Sequence, residues 1–509
     1  MALEYSIENM GILNNLFEGS CEQALDCDIS LPDYCPDISR VLKCCIVPGI
    51  VSAKISGDRA CADGNAPVRI IYSDEDNNIC TYEQNFPFSK FVQLGADTSG
   101  ALSAEAHVQY TNCRAVSKRR IEIHSMLHIQ FKIREISCCE AVNEISRKTV
   151  QAKTEEINFS NLCAVESKIF SMSETVELPS DYLPAERVVS CCATPVLNDV
   201  RVVQDKILIK GEADITMIYC SADNGGESVR FNHTIPINQV VDAQGITESA
   251  TPAVRLKMLG CECNVRNDAN SNPRLIEISC NINAYIKAYC ESQLKCITDA
   301  YCIDGHLQAN YESLEFMKLC NKVHETTMQK FTVDLSSLDA QKICCIWWDS
   351  PKVNKSIHDG KLCLHSTVPM NIIALDSDGR PVFCEREVDF EFSKSVDNNS
   401  CVTCDENVTP IGFSVGTLTD GKAEIKGEFL IDADIFTSRK INALVNADII
   451  SADTKPTACV IVYFPEEDES LWNIARRFNT TVDMIKDQNT VSGECAKNGV
   501  PLLIPVTTG

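Results

Sequence analysis

Along residues 120–133, RIEIHSMLHIQFKI, apolar and polar positions alternate. Ile121, Ile123, Leu127, Ile129 and Phe131 fall on one side, and Glu122, His124, His128, Gln130 and Lys132 on the other. A period of two marks a half-buried antiparallel strand. VRVVQDKILIKGEADITMIY (Val200–Tyr219) reads as a hairpin that turns near Gln204-Asp205-Lys206, with Gly211 as a bulge. A strand with one apolar face needs a second sheet, or closure of its own sheet, to cover that face. The pattern therefore predicts β-sandwich or barrel-like domains.

The pattern recurs. LPDYCPDISRVLKCC (Leu31–Cys45) returns as LPSDYLPAERVVSCC (Leu178–Cys192) and, shortened, as LSSLDAQKICC (Leu335–Cys345). VRIIYSDED (Val68–Asp76) matches ITMIYCSAD (Ile215–Asp223) and MNIIALDSD (Met370–Asp378). Glu122, Glu277 and Glu424 hold the same place in the closing strands. We expect three tandem β domains over residues 1–150, 151–317 and 318–452, arranged as beads on a string, since repeats of domain size differ from the short turns of a solenoid. A helical turn is expected before the double cysteine, because Ile38, Val41, Leu42 and Cys45 follow helix spacing.

The period changes near the C-terminus, where residues 456–509 predict a small α+β unit of order βααβ. Ala458–Phe464 reads as a strand, and Leu471, Ile474, Ala475 and Phe478 form one apolar helix face. Asp468 or Ser470 is positioned to cap that helix, and Thr480 with Asp483 has capping-box spacing for a second, whose inner face is Val482 and Ile485. Gly499–Pro505 supplies a closing strand.

Charge narrows the partners. Forty-six Lys and Arg stand against 71 Asp and Glu, a formal net charge of −25. Such a field repels phosphate backbones, so no nucleic-acid partner is expected. No apolar run is long enough to span a membrane, and the N-terminus lacks a signal-peptide pattern, so the expected setting is cytoplasmic. The 29 cysteines then read as reduced, small buried hydrophobes, with oxidative cross-linking in a durable extracellular-like layer as the alternative.

Short chemical motifs do not assemble into a catalytic site. GFSVG (Gly412–Gly416) lacks a following helix and a later histidine. GTLTDGKA (Gly416–Ala423) is one residue short of a phosphate loop. Cys401 and Cys404 make one CxxC, half of a structural zinc set, and Cys261 with Cys263 belongs to another repeat. Glu122, His124 and His128 share a strand face, but the second repeat has Glu277, Ser279 and Asn283 there. The expectation is no catalysis, no metal and no cofactor.

SLWNIARRFNTTVDMIKDQN with GVPLLIP resembles a LysM domain, and the three repeats resemble SPOCS domains. Three such repeats followed by one LysM domain is the layout of SipL-like spore coat morphogenesis proteins. The resemblance implies a scaffold whose LysM domain holds a coat-basement ATPase at the forespore surface, facing the mother-cell cytoplasm. LysM domains also commonly bind N-acetylglucosamine polymers, which implies peptidoglycan of the wall or cortex as the alternative partner. Their groove maps here to the loops Pro465–Ser470 and Asn489–Lys497, with Asp468, Glu469, Ser470, Leu471, Trp472, Ile474 and Asn489 as candidate contacts. The family's glycine before the leucine is missing, and Glu466, Glu467, Asp468 and Glu469 stand in succession. That departure favours a basic protein surface over a sugar. Trp472 is the foremost candidate, as tryptophan is enriched at interface hot spots.

Overall fold

The computed structural model describes residues 4–95, 98, 100–221, 228–396, 401–451, 460–489, 491, 493–496 and 499–505, without the side chains of 8–15, 136–138, 401–402 and 451. Strands dominate, and their alternating burial follows the alternating sequence. In the first unit, β1 (Tyr5–Ser30), β7 (Arg120–Ile145) and β6 (Ala101–Ser117) form one sheet in the order β1-β7-β6. The other sheet is built on β4 (Arg59–Ser73), with β2 (Arg40–Ile46) and β3 (Gly49–Ser56) sharing one edge and β5 (Ile79–Gln93) on the other. Their inner faces meet over Ile121, Ile123, Leu127, Ile129, Phe131, Val68 and Ile70. This is a two-sheet sandwich.

The second unit repeats it. β8 (Val150–Glu177), β13 (Pro273–Cys302) and β12 (Thr251–Asn267) form one sheet, and β9 (Arg187–Val203), β10 (Lys206–Cys220) and β11 (Ser228–Asp242) the other. Here one continuous β9 replaces the pair β2 and β3. The expected hairpin turns at Gln204-Asp205, and the register slips at Gly211, where a Cβ would stand 2.3 Å from the Val196 carbonyl oxygen. The third unit contains β14 (Gly305–Asp334), β20 (Lys422–Ser451) and β19 (Cys401–Val415), facing β15 (Ala340–Trp348), β16 (Lys352–His358), β17 (Lys361–Asp376) and β18 (Pro381–Ser395). A divide at residue 317 would cut β14, which pairs with β20 from Gly305 to Asp334. The sheets change over at 303–304 instead. The expected divide at 452–456 lies outside the described residues.

Two sequence expectations give way. The helix spacing before the double cysteine produces no α-helix: Val41, Leu42 and Cys45 lie on β2, and among the described residues only Ser336–Leu338 forms a 3-10 turn. Leu42 escapes the alternation because it is a bulge residue, skipped between Val41 and Lys43. Val189 and Cys344 are skipped in the same way. The double cysteine of the third unit is thus two positions out of structural register with the other two.

The beads-on-a-string arrangement is also replaced. The long strands β1, β7, β8, β13, β14 and β20 continue beyond their own sandwiches, and their extensions pack together. Ala141, Cys296 and Ala443 are equivalent positions in the three units, fully buried in one shared cluster. Val142, Ile297 and Leu444 are equivalent again, and fully buried in a second. A third shared cluster joins Leu42, Val189 and Cys344 with Ile71, Ile218 and Ile373. Polar contacts follow the same seams. Lys43 Nζ donates to Glu385 at 2.7 Å, Lys257 Nζ to Glu105 at 2.9 Å, and Arg134 to the Tyr285 hydroxyl at 2.7 Å. Arg255 and Lys287 both hold Asp405, at 3.0 and 2.8 Å. Burial raises the Asp405 pKa, but Lys287 and Arg255 outweigh it and the pKa falls. The physical reason is exposed area: each extension is apolar on a face that its own sandwich does not cover, and three units cover it for one another.

Candidate partner-binding site

The terminal unit has the expected order: β21 (Val460–Tyr463), α1 (Leu471–Arg477), α2 (Val482–Asn489) and β22 (Leu502–Pro505), with β21 antiparallel to β22. Leu471, Ile474, Ala475, Ile485, Leu502 and Ile504 are its buried core. Leu471 and Ile474 are therefore inside the unit and face no groove. Ser470 caps α1, accepting from the Asn473 backbone N–H at 3.3 Å. The cap of α2 is Thr481, which accepts from the Met484 N–H at 3.0 Å, so the expected box on Thr480 is displaced by one residue.

Thr480 is instead fully buried, and its carbonyl accepts a hydrogen bond from Tyr301 of β13 at 2.8 Å. Around that bond the unit is seated on the body of the protein. The Trp472 indole N–H donates to Asp299 Oδ2 at 2.7 Å, and Arg476 Nη1 reaches both oxygens of Asp299 at 2.9 and 3.0 Å. The Trp472 and Tyr301 rings meet edge to face, with centroids 5.0 Å apart. Burial, reinforced by Asp299, pushes the Tyr301 hydroxyl up to about 12, so it stays a donor. Trp472 is thus spent on an internal contact. Neither Asp299 nor Tyr301 stood out in the sequence, because nothing local distinguishes them from other strand residues.

A bulge sets this seat. Thr298 is skipped in the pairing of β13 with β8, and Asn143 and Val445 are skipped at the equivalent places. Yet the positions of Asp299 and Tyr301 are held by Glu144 and Ser146 in the first unit, and by Asn446 and Asp448 in the third. Only the second unit offers a carboxylate and a ring together.

The other candidate residues divide by role. Asn489 ties α2 to β22: its amide donates to the carbonyls of Ile485 and Leu503, and its oxygen accepts from the Leu503 N–H at 2.6 Å. Glu469 accepts from the Tyr463 hydroxyl at 2.9 Å. Asp468 is exposed, with a left-handed φ of 58°. The two loops that would flank a saccharide are stitched together, since Leu471 N–H donates to Glu494 at 2.8 Å and Ala496 N–H to Glu469 at 2.9 Å. Lys497 lies outside the described residues.

What the unit leaves open is the outer face of its sheet. Val460, Val462 and Phe464 alternate outward, Val462 and Phe464 being 57% and 66% exposed, with Leu503 paired beside Val462. The acidic run Glu466–Glu469 follows directly.

The family comparison falls on one sheet of each sandwich together with the strand that follows it, β2–β6 in the first unit and β9–β12 in the second. A family model described as SipL, SPOCS domain matches residues 37–116 and 184–266, the same stretch of the first and second units. The chain is SipL-like. No curated protein and no solved structure matches it. SPOCS domains make this SipL-like protein sporulation-related. In the SipL-like chain the third unit repeats the strand plan of the two matched ones. No helix among its described residues is long and apolar enough to cross a membrane.

Proposed function

We propose that this protein is a non-catalytic scaffold of endospore formation, in which a LysM-like terminal unit docks a coat-basement ATPase. One observation carries the reading: the unit is clamped to the body through Trp472 and Asp299 and turns outward an apolar sheet face beside four acids. Desolvation of such a face favours a protein partner, and the acids favour a basic rim on it. The stitched loops and the missing glycine leave less for a saccharide to occupy. Peptidoglycan binding is the second reading and rests on the LysM resemblance alone. The protein would act on the mother-cell side of the forespore.

The test compares the full chain with a Val462→Asp, Phe464→Ser variant in pull-downs with the coat ATPase and with N-acetylglucosamine oligomers. We expect ATPase retention to fall at least about tenfold in the variant, the scale of losing a hot-spot pair. Retention on the sugar, with none on the ATPase, would reverse the assignment.

A further inference from the structure

Three cysteines of the second unit, Cys191, Cys261 and Cys263, gather between its two sheets, and a fourth, Cys280, flanks Cys261. Cys191 comes from β9, Cys261 and Cys263 from one face of β12, and Cys280 from β13, directly opposite Cys261. The sulfurs of Cys191 and Cys261 are 3.2 Å apart, and those of Cys261 and Cys280 are 3.5 Å apart. Those of Cys191, Cys261 and Cys263 all lie within 4.8 Å of one another. Cys191 and Cys280 are buried. Zinc binds thiolates at about 2.3 Å in a tetrahedron, which sets sulfurs about 3.8 Å apart.

The other units show what this position holds when it serves packing alone. In the third, the equivalent residues are Ile346, Phe413, Val415 and Gly427. A Cβ on Gly427 would stand 2.8 Å from the Phe429 ring and 3.1 Å from Trp348, so aromatic side chains fill the space. In the first, Cys44 and Cys113 remain, but Thr111 and Ser125 replace the other two and share a hydrogen bond of 3.1 Å. The sandwich therefore closes without four thiols, and only the second unit assembles them.

We propose that Cys191, Cys261, Cys263 and Cys280 form a thiolate site for a soft, tetrahedral divalent cation of the zinc class. Two strands supply three of the ligands in a fixed pleat and the facing sheet supplies the fourth, so the ion would staple the two sheets. Cys280 closes the tetrahedron by turning from the flank of Cys261 toward Cys191 and Cys263. Cys191 and Cys263 are joined as a disulfide in this structure. Ion and disulfide are alternatives at one place, and the reduced chain takes the ion. Binding displaces the thiol protons to solvent.

The full chain is purified under reductant without oxygen, its thiols are counted, and metal is measured by mass spectrometry and by titration with cobalt(II). We expect one equivalent of zinc as isolated, and a sulfur-to-cobalt charge-transfer band that saturates at one equivalent. Cys261→Ser should weaken cobalt binding by more than about tenfold, since losing even an outer-shell partner of a ligand costs that much, while Cys363→Ser, exposed in the third unit, should leave it unchanged. The double variant Cys191→Ile, Cys263→Val borrows the third unit's packing, so it should fold by circular dichroism and show no band. A chain whose thiols titrate as reduced, yet which shows neither zinc nor the band, overturns the proposal. So does a band that persists in the double variant.

Discussion

Asp299 carries the seat of the terminal unit on one carboxylate, accepting from Trp472 and from Arg476. A hydrogen bond to a charged acceptor contributes about 1.5–3 kcal/mol, and an edge-to-face ring pair about 0.5–1.5 kcal/mol. Trp472→Phe keeps the ring contact and removes the donor. It should raise amide exchange across α1 by about 10- to 100-fold, the equivalent of 1.5–3 kcal/mol, with β4 unchanged; equal protection in both proteins would show that the bond holds nothing. Asp304 offers a pH test beside it. The Cys302 thiol, and then Arg147, hold its pKa down to about 2 against the opposing effect of burial. A depressed folded pKa stabilises the protein fully above the unfolded value of about 3.9, and that increment is lost as pH falls toward 2. Asp304→Asn should therefore flatten the slope of urea midpoint against pH between about 4 and 2, trimmed by screening since both side chains are about a third exposed. An unchanged slope would place the acid sensitivity elsewhere.

At the scale of elements, the sequence was most legible where period and burial agree. The alternation in Arg120–Ile133 gave β7, and the helix spacing of Leu471, Ile474 and Ala475 gave α1, because in both cases a single face is buried. Bulges were not legible. Leu42 beside Val41 mimics a helix repeat, and a skipped residue leaves no mark in composition; only the pairing register shows it. The site was legible as a unit but not by role. Leu471, Ile474 and Asn489 were expected at a groove because local sequence cannot tell an inward residue from a ligand contact in a unit this small. The cysteines were read as reduced fillers, whereas the structure joins Cys163 to Cys290 and Cys191 to Cys263. Partners 127 and 72 residues apart are invisible to spacing. Asn489 tests the element reading. Asn489→Ala removes the side-chain partner of the solvent-facing Leu503 N–H and carbonyl, at a cost of about 0.5–1.5 kcal/mol for each hydrogen bond lost. Amides of β22 should then exchange faster while those of α1 in its core keep their protection; if β22 is unaffected, its pairing with β21 suffices.

At the scale of the whole molecule, the shared clusters make the three sandwiches one cooperative body. A 150-residue sandwich with its own core would ordinarily melt alone. Here each sandwich ends in an extension whose apolar face packs against the other two, as at Ala141, Cys296 and Ala443. Ala443 is fully buried where the extensions meet, so Ala443→Phe overpacks a contact that belongs to all three units. Overpacking costs about 1–3 kcal/mol or more, and that cost should be felt by every unit at once. Heating should give a single transition in both proteins, at a lower midpoint in the variant. Amides in β7, β10 and β17 should lose protection together, because no unit can leave the joint without exposing the other two. A variant in which β17 opens while β7 stays protected would mean that the seams are contacts between independent beads. In that case the rigid mount for the terminal unit would be the second unit alone, since Asp299 and Tyr301 reside on its β13 extension.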